Sequence, residues 1–301
     1  MTLNLNALRV FAAVVERGGF TRASAALHLS QPAVSKAVLG LERQVGLPLL
    51  ERGPRAVRVT EAGAALYERA RELFAVERTA EDELRALRGL EGGALRVGAS
   101  TTVATYLLPP ILGAFQARHP RVALHVTSGN TRAVARALLG RRLDVALVEG
   151  PVDDARLTVE PWRDDELVVI APPDHPLAVS RRAVPLAALA AEPFVFRERG
   201  SGTRAVTEAA FAAHDIRLRV ALTLDSTEAV KQAVAAGLGL AAVSRAAAAD
   251  QLALGCVRAV RATGLVIRRR LTLLRLTGRR PGAPARAFEA LLGAGGERPT
   301  R

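Results

Sequence analysis

Apolar positions in the first third of the chain recur every three or four residues, the spacing of amphipathic helices, whereas beyond residue 93 they gather into short separate runs. Leu5, Leu8, Val10, Phe11, Val14 and Val15 make one helical stripe that stops at Gly18-Gly19, and Thr21 opens a second short helix through Leu27. A third stripe, Val34, Ala37, Val38, Leu41 and Val45, follows directly on Ser30, Gln31 and Pro32. Ser30 is suited to cap that helix. Pro32 in the first turn gives up no hydrogen bond, because the N–H it lacks would have no intrahelical acceptor there. The stripe turns Gln31, Pro32, Ser35, Lys36 and Arg43 outwards, which leaves a helix end that is polar, short in side chain and positive by its dipole. Leu49-Leu50 and Val57 to Val59 then read as two short strands about a turn that holds Arg52 and Arg55.

Three helices and a basic hairpin make a winged helix-turn-helix, expected over residues 1–60. Thr60 can cap a long helix running to about Leu90, with a heptad-like series Leu66, Ala70, Leu73, Glu77, Ala80, Leu84 and Leu87. Its leucines, Leu66, Leu73, Leu84 and Leu87, are the expected seam of a dimer, and residues 61–92 the linker that carries it. Packing of the same helix on its own domain is the alternative. After Glu91-Gly92-Gly93 the runs "ALRVGAS", "VALHVTSG", "LDVALVEG", "DELVVIAP", "EPFVFRE", "VALTLDS", "GLGLAAVS" and "RRLTLLRLT" alternate with helical segments, which predicts an α/β domain over 93–301 with mainly parallel strands. Two lobes can be drawn, one from 94–161 and 267–293, the other from 162–266.

In such sheets ligands sit outside the carboxyl ends of strands. There the chain offers Ser100, Thr101 and Thr102 in "GASTT", Ser128, Asn130 and Thr131 in "SGNT", and Ser201, Gly202 and Thr203 in "RERGSGTR". Each group opens a helix, so free N–H donors and hydroxyls converge where a small anion could be held without a full countercharge. Each alone is more often a simple cap; three together favour a site. Glu149, at another strand end, repels an anion, and is expected either to accept from a protonated ligand group or to belong to the domain framework.

The net charge of +13 points to a polyanionic partner, but its distribution does not locate one. The first sixty residues hold eight bases against three acids, and from Cys256 onward eleven arginines face only Glu289 and Glu297. Those late arginines are expected to be a solvated surface rather than a second nucleic-acid site. A single cysteine and five histidines without ligand spacing exclude a disulfide framework and a cysteine or histidine metal centre, and no cofactor is called for. No export signal and no membrane-spanning run is evident, so a cytoplasmic, soluble protein is expected.

The segment "LRVFAAVVERGGFTRASAALHLSQPAVSKAVLGLERQVGLPLLERGPRAVRVTEAG" resembles the N-terminal domain of LysR-type transcriptional regulators, departing at Gly19 and Leu50. The stretch from "GASTTVATYLLPPILGAFQARHPRVALHVTSGNT" through "DSTEAVKQAVAAGLGLAAVS" resembles the LysR substrate-binding domain, nearest to the branch of sulfite-reductase and cysteine-biosynthesis regulators. The resemblance implies a periplasmic-binding-protein-like effector domain, a homodimer or homotetramer on an interrupted palindrome of double-stranded DNA, and contact with RNA polymerase. It implies that Thr21, Arg22, Ser30, Gln31, Pro32, Ser35, Lys36, Arg43, Arg52 and Arg55 meet DNA. In the second domain it assigns a small oxyanion, with sulfur oxyanions leading, to positions corresponding to Ser100, Thr102 and Thr203, and less securely Thr131. The chemistry of an enzyme is not expected: "RGSGTR" is no nucleophile elbow and no histidine has a triad context. A two-lobed binding protein without gene regulation is the remaining rival, and the basic helix-turn-helix opposes it.

Overall fold

A computed structural model describes residues 2–52, 57–87, 92–180 and 182–295. The chain divides into two compact units, residues 1–81 and 82–301. In the first, α1 (Leu5–Arg17), α2 (Phe20–Leu27) and α3 (Gln31–Val45) close over Leu8, Phe11, Val14, Val34, Val38 and Leu41. The stripes seen in the sequence are therefore its core. Asn4 caps α1 and Gly18 ends it in the left-handed conformation at φ 66°. The hairpin of β1 (Leu50–Arg52) and β2 (Val57–Val59) is antiparallel, with Leu50 opposite Val59. The Glu42 carboxylate of α3 accepts from the N–H groups of Leu49 (2.8 Å) and Leu50 (3.1 Å), so the wing is tied to the third helix.

The long helix α4 spans Glu61–Leu87, and Thr60 caps it by accepting from Gly63 N (2.9 Å) while donating to Pro48 O (2.8 Å). Gly63 has no substitute here: a Cβ would stand 2.0 Å from Leu49 O. The first half of α4 is packed on its own unit. Ala70 and Phe74 are core residues, Leu66 lies against that core, and Arg9 bonds Glu77 (2.7 Å) across the Phe74 ring. Leu73, Val76 and Leu84 face outwards, at 40, 65 and 60% exposure, while the Leu87 side chain lies outside the described residues. The expected leucine seam thus serves two surfaces, Leu66 inside its unit and Leu73 and Leu84 outside it.

The second unit contains β3 (Ala94–Ser100), α5 (Leu108–Arg118), β4 (Ala123–Gly129), α6 (Thr131–Leu139), β5 (Val145–Glu149), β6 (Leu157–Ala171), α7 (Pro176–Val179) and α8 (Leu186–Ala191). There follow β7 (Pro193–Arg197), α9 (Gly202–Ala212), β8 (Arg219–Leu224), α10 (Thr227–Ala235), β9 (Ala241–Ser244), α11 (Arg245–Ala253), β10 (Arg258–Val260), β11 (Ile267–Leu276) and α12 (Ala283–Gly295). The sheet runs β10-β6-β11-β5-β3-β4 with β9 also on β6, and β7 and β8 form a separate parallel pair. Strands β3, β4 and β5 are parallel, but β11 is antiparallel to both β5 and β6, and β6 to β9 and β10. A mainly parallel sheet is therefore corrected to a mixed one. The reason is β6 and β11, which pair from Ile267–Leu167 to Leu276–Leu157 and run through both lobes, so the boundary drawn at residue 161 falls inside one continuous strand.

This pairing also accounts for the late arginines. Arg269 and Arg270 meet Asp165 (2.7 Å) and Asp164 (2.9 Å) on the facing strand, Arg275 pairs with Glu160, and Arg279 with Asp144 (3.3 Å). They are held in cross-strand and framework ion pairs rather than spread as a solvated surface.

Because Leu66 and Leu73 lie on opposite accounts of the same helix, their substitutions separate. Leu66→Asp is expected to destabilise the N-terminal unit by roughly 2–4 kcal/mol, since it buries an unpaired charge. Leu73→Asp should leave its melting near wild type and act, if anywhere, on association of chains. Thermal melts followed by light scattering check both.

Candidate functional site

The DNA-facing residues of the sequence reading gather on α2 and α3. Ser30 is extended at φ −71°, ψ 147° and accepts from Ala33 N (3.4 Å), so the first turn of α3 is capped. Gln31, Pro32 and Lys36 are exposed and Ser35 is half-buried. On α2, Thr21 and Arg22 are exposed, and the Arg22 guanidinium donates to Gly18 O (3.3 Å). Arg43 is exposed further along α3, its Nε bonded to Leu39 O (3.4 Å). Arg55 and the Arg52 side chain lie outside the described residues.

In the second unit the strand-end residues divide into two groups. Ser100, at the end of β3, is fully buried and donates to the Glu149 carboxylate at the end of β5. Thr203, in the first turn of α9, donates to the other oxygen of that carboxylate (3.3 Å) and accepts from Arg269 Nη1 (2.8 Å). Arg269 Nη1 stands 3.7 Å from Glu149, and its Nε donates to Asp165 (2.7 Å), which in turn accepts from Ser244 (2.8 Å). Glu149 is 2% exposed and belongs to the framework, the second of the two roles expected for it. One donor of this cluster, Arg269 Nη2, is buried and has no hydrogen-bond partner among the described residues. Thr102 is buried beside Ser100 in sequence, and no side-chain bond of it is found among the described residues.

A second crossing joins the lobes at Arg197, the last residue of β7, which is 4% exposed. Its guanidinium donates to Thr101 (3.1 Å) of the first lobe, to Thr227 (2.8 Å) at the start of α10, and to the Glu198 carboxylate (2.8 and 3.0 Å). Burial alone would raise the Glu198 carboxyl, but hydrogen bonds from Arg197 and Asn130 outweigh it and hold it below the ordinary value. Nearby Tyr106 donates to Glu228 (2.8 Å) of the second lobe, and burial first, then that carboxylate, pushes its phenol well up.

The remaining residues stand at the lobe seam between α6 and α9. Asn130 caps α6 through Ala133 N (2.9 Å), Ser201 caps α9 through Arg204 N (3.4 Å), and Thr131 donates to Glu149 O (2.7 Å). Arg132 N bonds Gly200 O across the seam (3.2 Å). Gly202 lets the two chains touch, for a Cβ on it would stand 1.8 Å from Glu149 O. Ser128 is exposed on β4 and is not part of either group.

Arg269, Asp165, Arg197 and Thr227 were missed by the sequence reading. The signal for Arg269 was present: it shares strand parity with Ile267, Leu271 and Leu273, which puts it on the buried face, whereas Arg268 and Arg270 fall on the other. Among the described residues no group of three or more His, Cys, Asp or Glu could hold a metal ion, and no helix is long and apolar enough to cross a membrane.

A helix-turn-helix unit followed by a two-lobed α/β unit whose strand ends meet at a polar seam defines a ligand-responsive DNA-binding protein. Residues 5–64 match the bacterial regulatory helix-turn-helix protein, lysR family, and residues 88–296 match the LysR substrate binding domain. The chain belongs to the LysR family of transcriptional regulators and is not an enzyme. It is 42% identical over 244 residues to the RuBisCO operon transcriptional regulator of Allochromatium vinosum, covering 81% of this chain and 80% of that one. It is 36% identical over 238 residues to the HTH-type transcriptional regulator CysL of Bacillus subtilis (strain 168), covering 79% of each. Among solved structures, the CcmR regulatory domain of Synechocystis PCC6803 in complex with 2-PG superposes with a TM-score of 0.64 at 31% identity, over 68% of this chain and 98% of that one.

Gly202→Ala is expected to force α9 off β5 and to destabilise the second unit by roughly 1–3 kcal/mol, the cost of overpacking a close backbone contact. A lowered melting transition, with DNA-free secondary structure retained by circular dichroism, is the outcome; an unchanged transition would contradict the contact.

Proposed function

We infer that the chain regulates transcription by presenting the α3 end to the DNA major groove and by reading a small anionic effector at the lobe seam. The capped, exposed first turn of α3 supports the first part: Gln31 and Ser35 suit base edges, while Thr21, Arg22, Ser30, Lys36, Arg43 and the wing arginines Arg52 and Arg55 suit phosphates. The outward Leu73, Val76 and Leu84 support pairing of α4 helices into a dimer, with Leu66 and Leu87 as flanking members, and dimers of dimers on an interrupted palindrome. The protein so described works in the cytoplasm, beside RNA polymerase.

The observation that carries the effector reading is Arg269 Nη2, a buried donor left without a partner beside the hydroxyls of Ser100 and Thr203. An unmet buried donor of a charged group costs free energy that an acceptor oxygen recovers. A compact oxyanion, a sulfur oxyanion first, fits donors of this kind: Thr102, Ser100, Thr203 and Arg269, with Thr101 at the edge. Glu149 qualifies it, because its carboxylate already takes the hydroxyl protons of Ser100 and Thr203. The effector therefore competes with Glu149, and binding of one loosens the hold of the other on the second lobe. The pairing of Arg269 with Asp165 persists throughout, so the guanidinium stays in place for either anion.

Two expectations follow from this balance of donors. Gln31→Ala should cost roughly 1–3 kcal/mol on a cognate site and little on random DNA, as read by fluorescence anisotropy at two salt concentrations. Equal losses on both would remove the base-reading role. In calorimetric titration of sulfite and sulfate, Thr102→Val should weaken binding about 5- to 150-fold, whereas Glu149→Gln should tighten it by removing the competing charge. Weaker oxyanion binding in Glu149→Gln would refute the competition.

A further inference from the structure

A cavity of about 650 Å³ lies along the seam on the side of α6 and α9, away from the buried Glu149–Arg269 cluster. One wall carries Arg132 and Arg136 of α6, and the other Arg199 and Arg204 of the turn after β7 and of α9. The floor is apolar, with Ala135, Leu139, Val152, Leu157 and Ala205 in the lining.

The charges of this lining are unevenly committed. Arg204 is paired with Glu208 (2.8 Å) and donates to Arg197 O (3.1 Å), and Asp154 is paired with Arg156 (2.7 Å). Arg132, Arg136 and Arg199 make no ion pair among the described residues, and Asp153 is the one acid of the lining left to face them. Arg132 and Arg136 are four residues apart on one helix face, where like charges repel, so the helix carries a small cost that a bound anion removes. The guanidinium fork matches carboxylate and phosphate oxygens in pairs. A cavity of this size falls in the range of small-molecule sites and is many times larger than a bare inorganic oxyanion, and its apolar floor gives such an ion nothing to contact.

We propose that this groove binds a small organic dianion, two acidic groups on a short carbon chain, with one end held by Arg132 and Arg136 of the first lobe and the other by Arg199 of the second. The carbon chain lies on Leu139, Leu157 and Ala205. Because its two ends are held by different lobes, the ligand staples the seam at which Arg132 N meets Gly200 O. The groove is a second effector site, and it stands apart from the oxyanion competition at Glu149: the residues titrated there are different, so either result stands without the other.

The test is calorimetric titration of malonate, succinate and adipate into the full chain, with sulfate and the monomethyl ester of succinate as comparisons. One of the three dicarboxylates should bind, and its monoester should bind at least about tenfold more weakly, since one charge-assisted end is lost. Arg136→Glu and Arg199→Glu are exposed substitutions that leave the melting transition near wild type, and each should weaken the dicarboxylate about tenfold or more. Absence of binding by all three dicarboxylates overturns the proposal. So does binding that neither charge reversal weakens, or an ester that binds as well as the diacid.

Discussion

One guanidinium, that of Arg269, governs how the two lobes meet. It sits between Asp165 and Glu149 with all three side chains withdrawn from water, and a charge so placed is tolerable only if its partners and hydrogen bonds replace the lost hydration. Everything around it serves that condition. Ser244 donates to Asp165, Ser100 and Thr203 donate to Glu149, and Thr131 donates to the Glu149 carbonyl. Removing one charged member strands the others, which in buried clusters costs about 3–5 kcal/mol. Strand order follows from the same need: β5 and β6 flank β11, so both carboxylates can reach the one cation from either side.

The helices of the first unit were legible because a local period of about 3.6 residues is enough to say which face is buried. What faces that buried side is a different matter. The stripe of α4 was visible, yet Leu66 and Ala70 pack on their own unit while Leu73 and Leu84 do not, and a heptad pattern carries no label for the surface it covers. The effector unit was legible as alternating strands and helices with hydroxyls at strand ends. Its antiparallel pairings were not, because β6 and β11 are distant in sequence and nothing local records which way a partner runs.

The candidate site was half legible for a related reason. Hydroxyls at helix starts announce themselves by position, and Ser100, Thr131 and Thr203 do lie at the seam. The charges that control them are read only by parity or by pairing. Arg269 hid in a run of three arginines, and Arg197 ended a strand buried on both faces, where alternation gives no signal. Much of the positive charge in the C-terminal part, which looked like surplus, is answered by the acids of β6: Asp164, Asp165 and Glu160. The overall charge of +13 is consequently a poor guide to where a polyanion would bind.

The register of β6 against β11 slips at one point: Leu271 faces Arg163 and Thr272 faces Pro161, so Trp162 is an extra residue bulged out of the ladder. Trp162 packs against the core of the first lobe. Side chains in a strand alternate, so each added or missing residue exchanges inside for outside along everything beyond it. The count of residues between Leu157 and Asp165 is thus a quantity that the protein must conserve: with one fewer, Asp165 would turn towards solvent and Asp164 or Glu166 would be offered to Arg269 from the wrong side of the sheet. Substitutions along this strand are questions of chemistry, but insertions and deletions are questions of arithmetic, and only an even change keeps the lobes joined by the same charges.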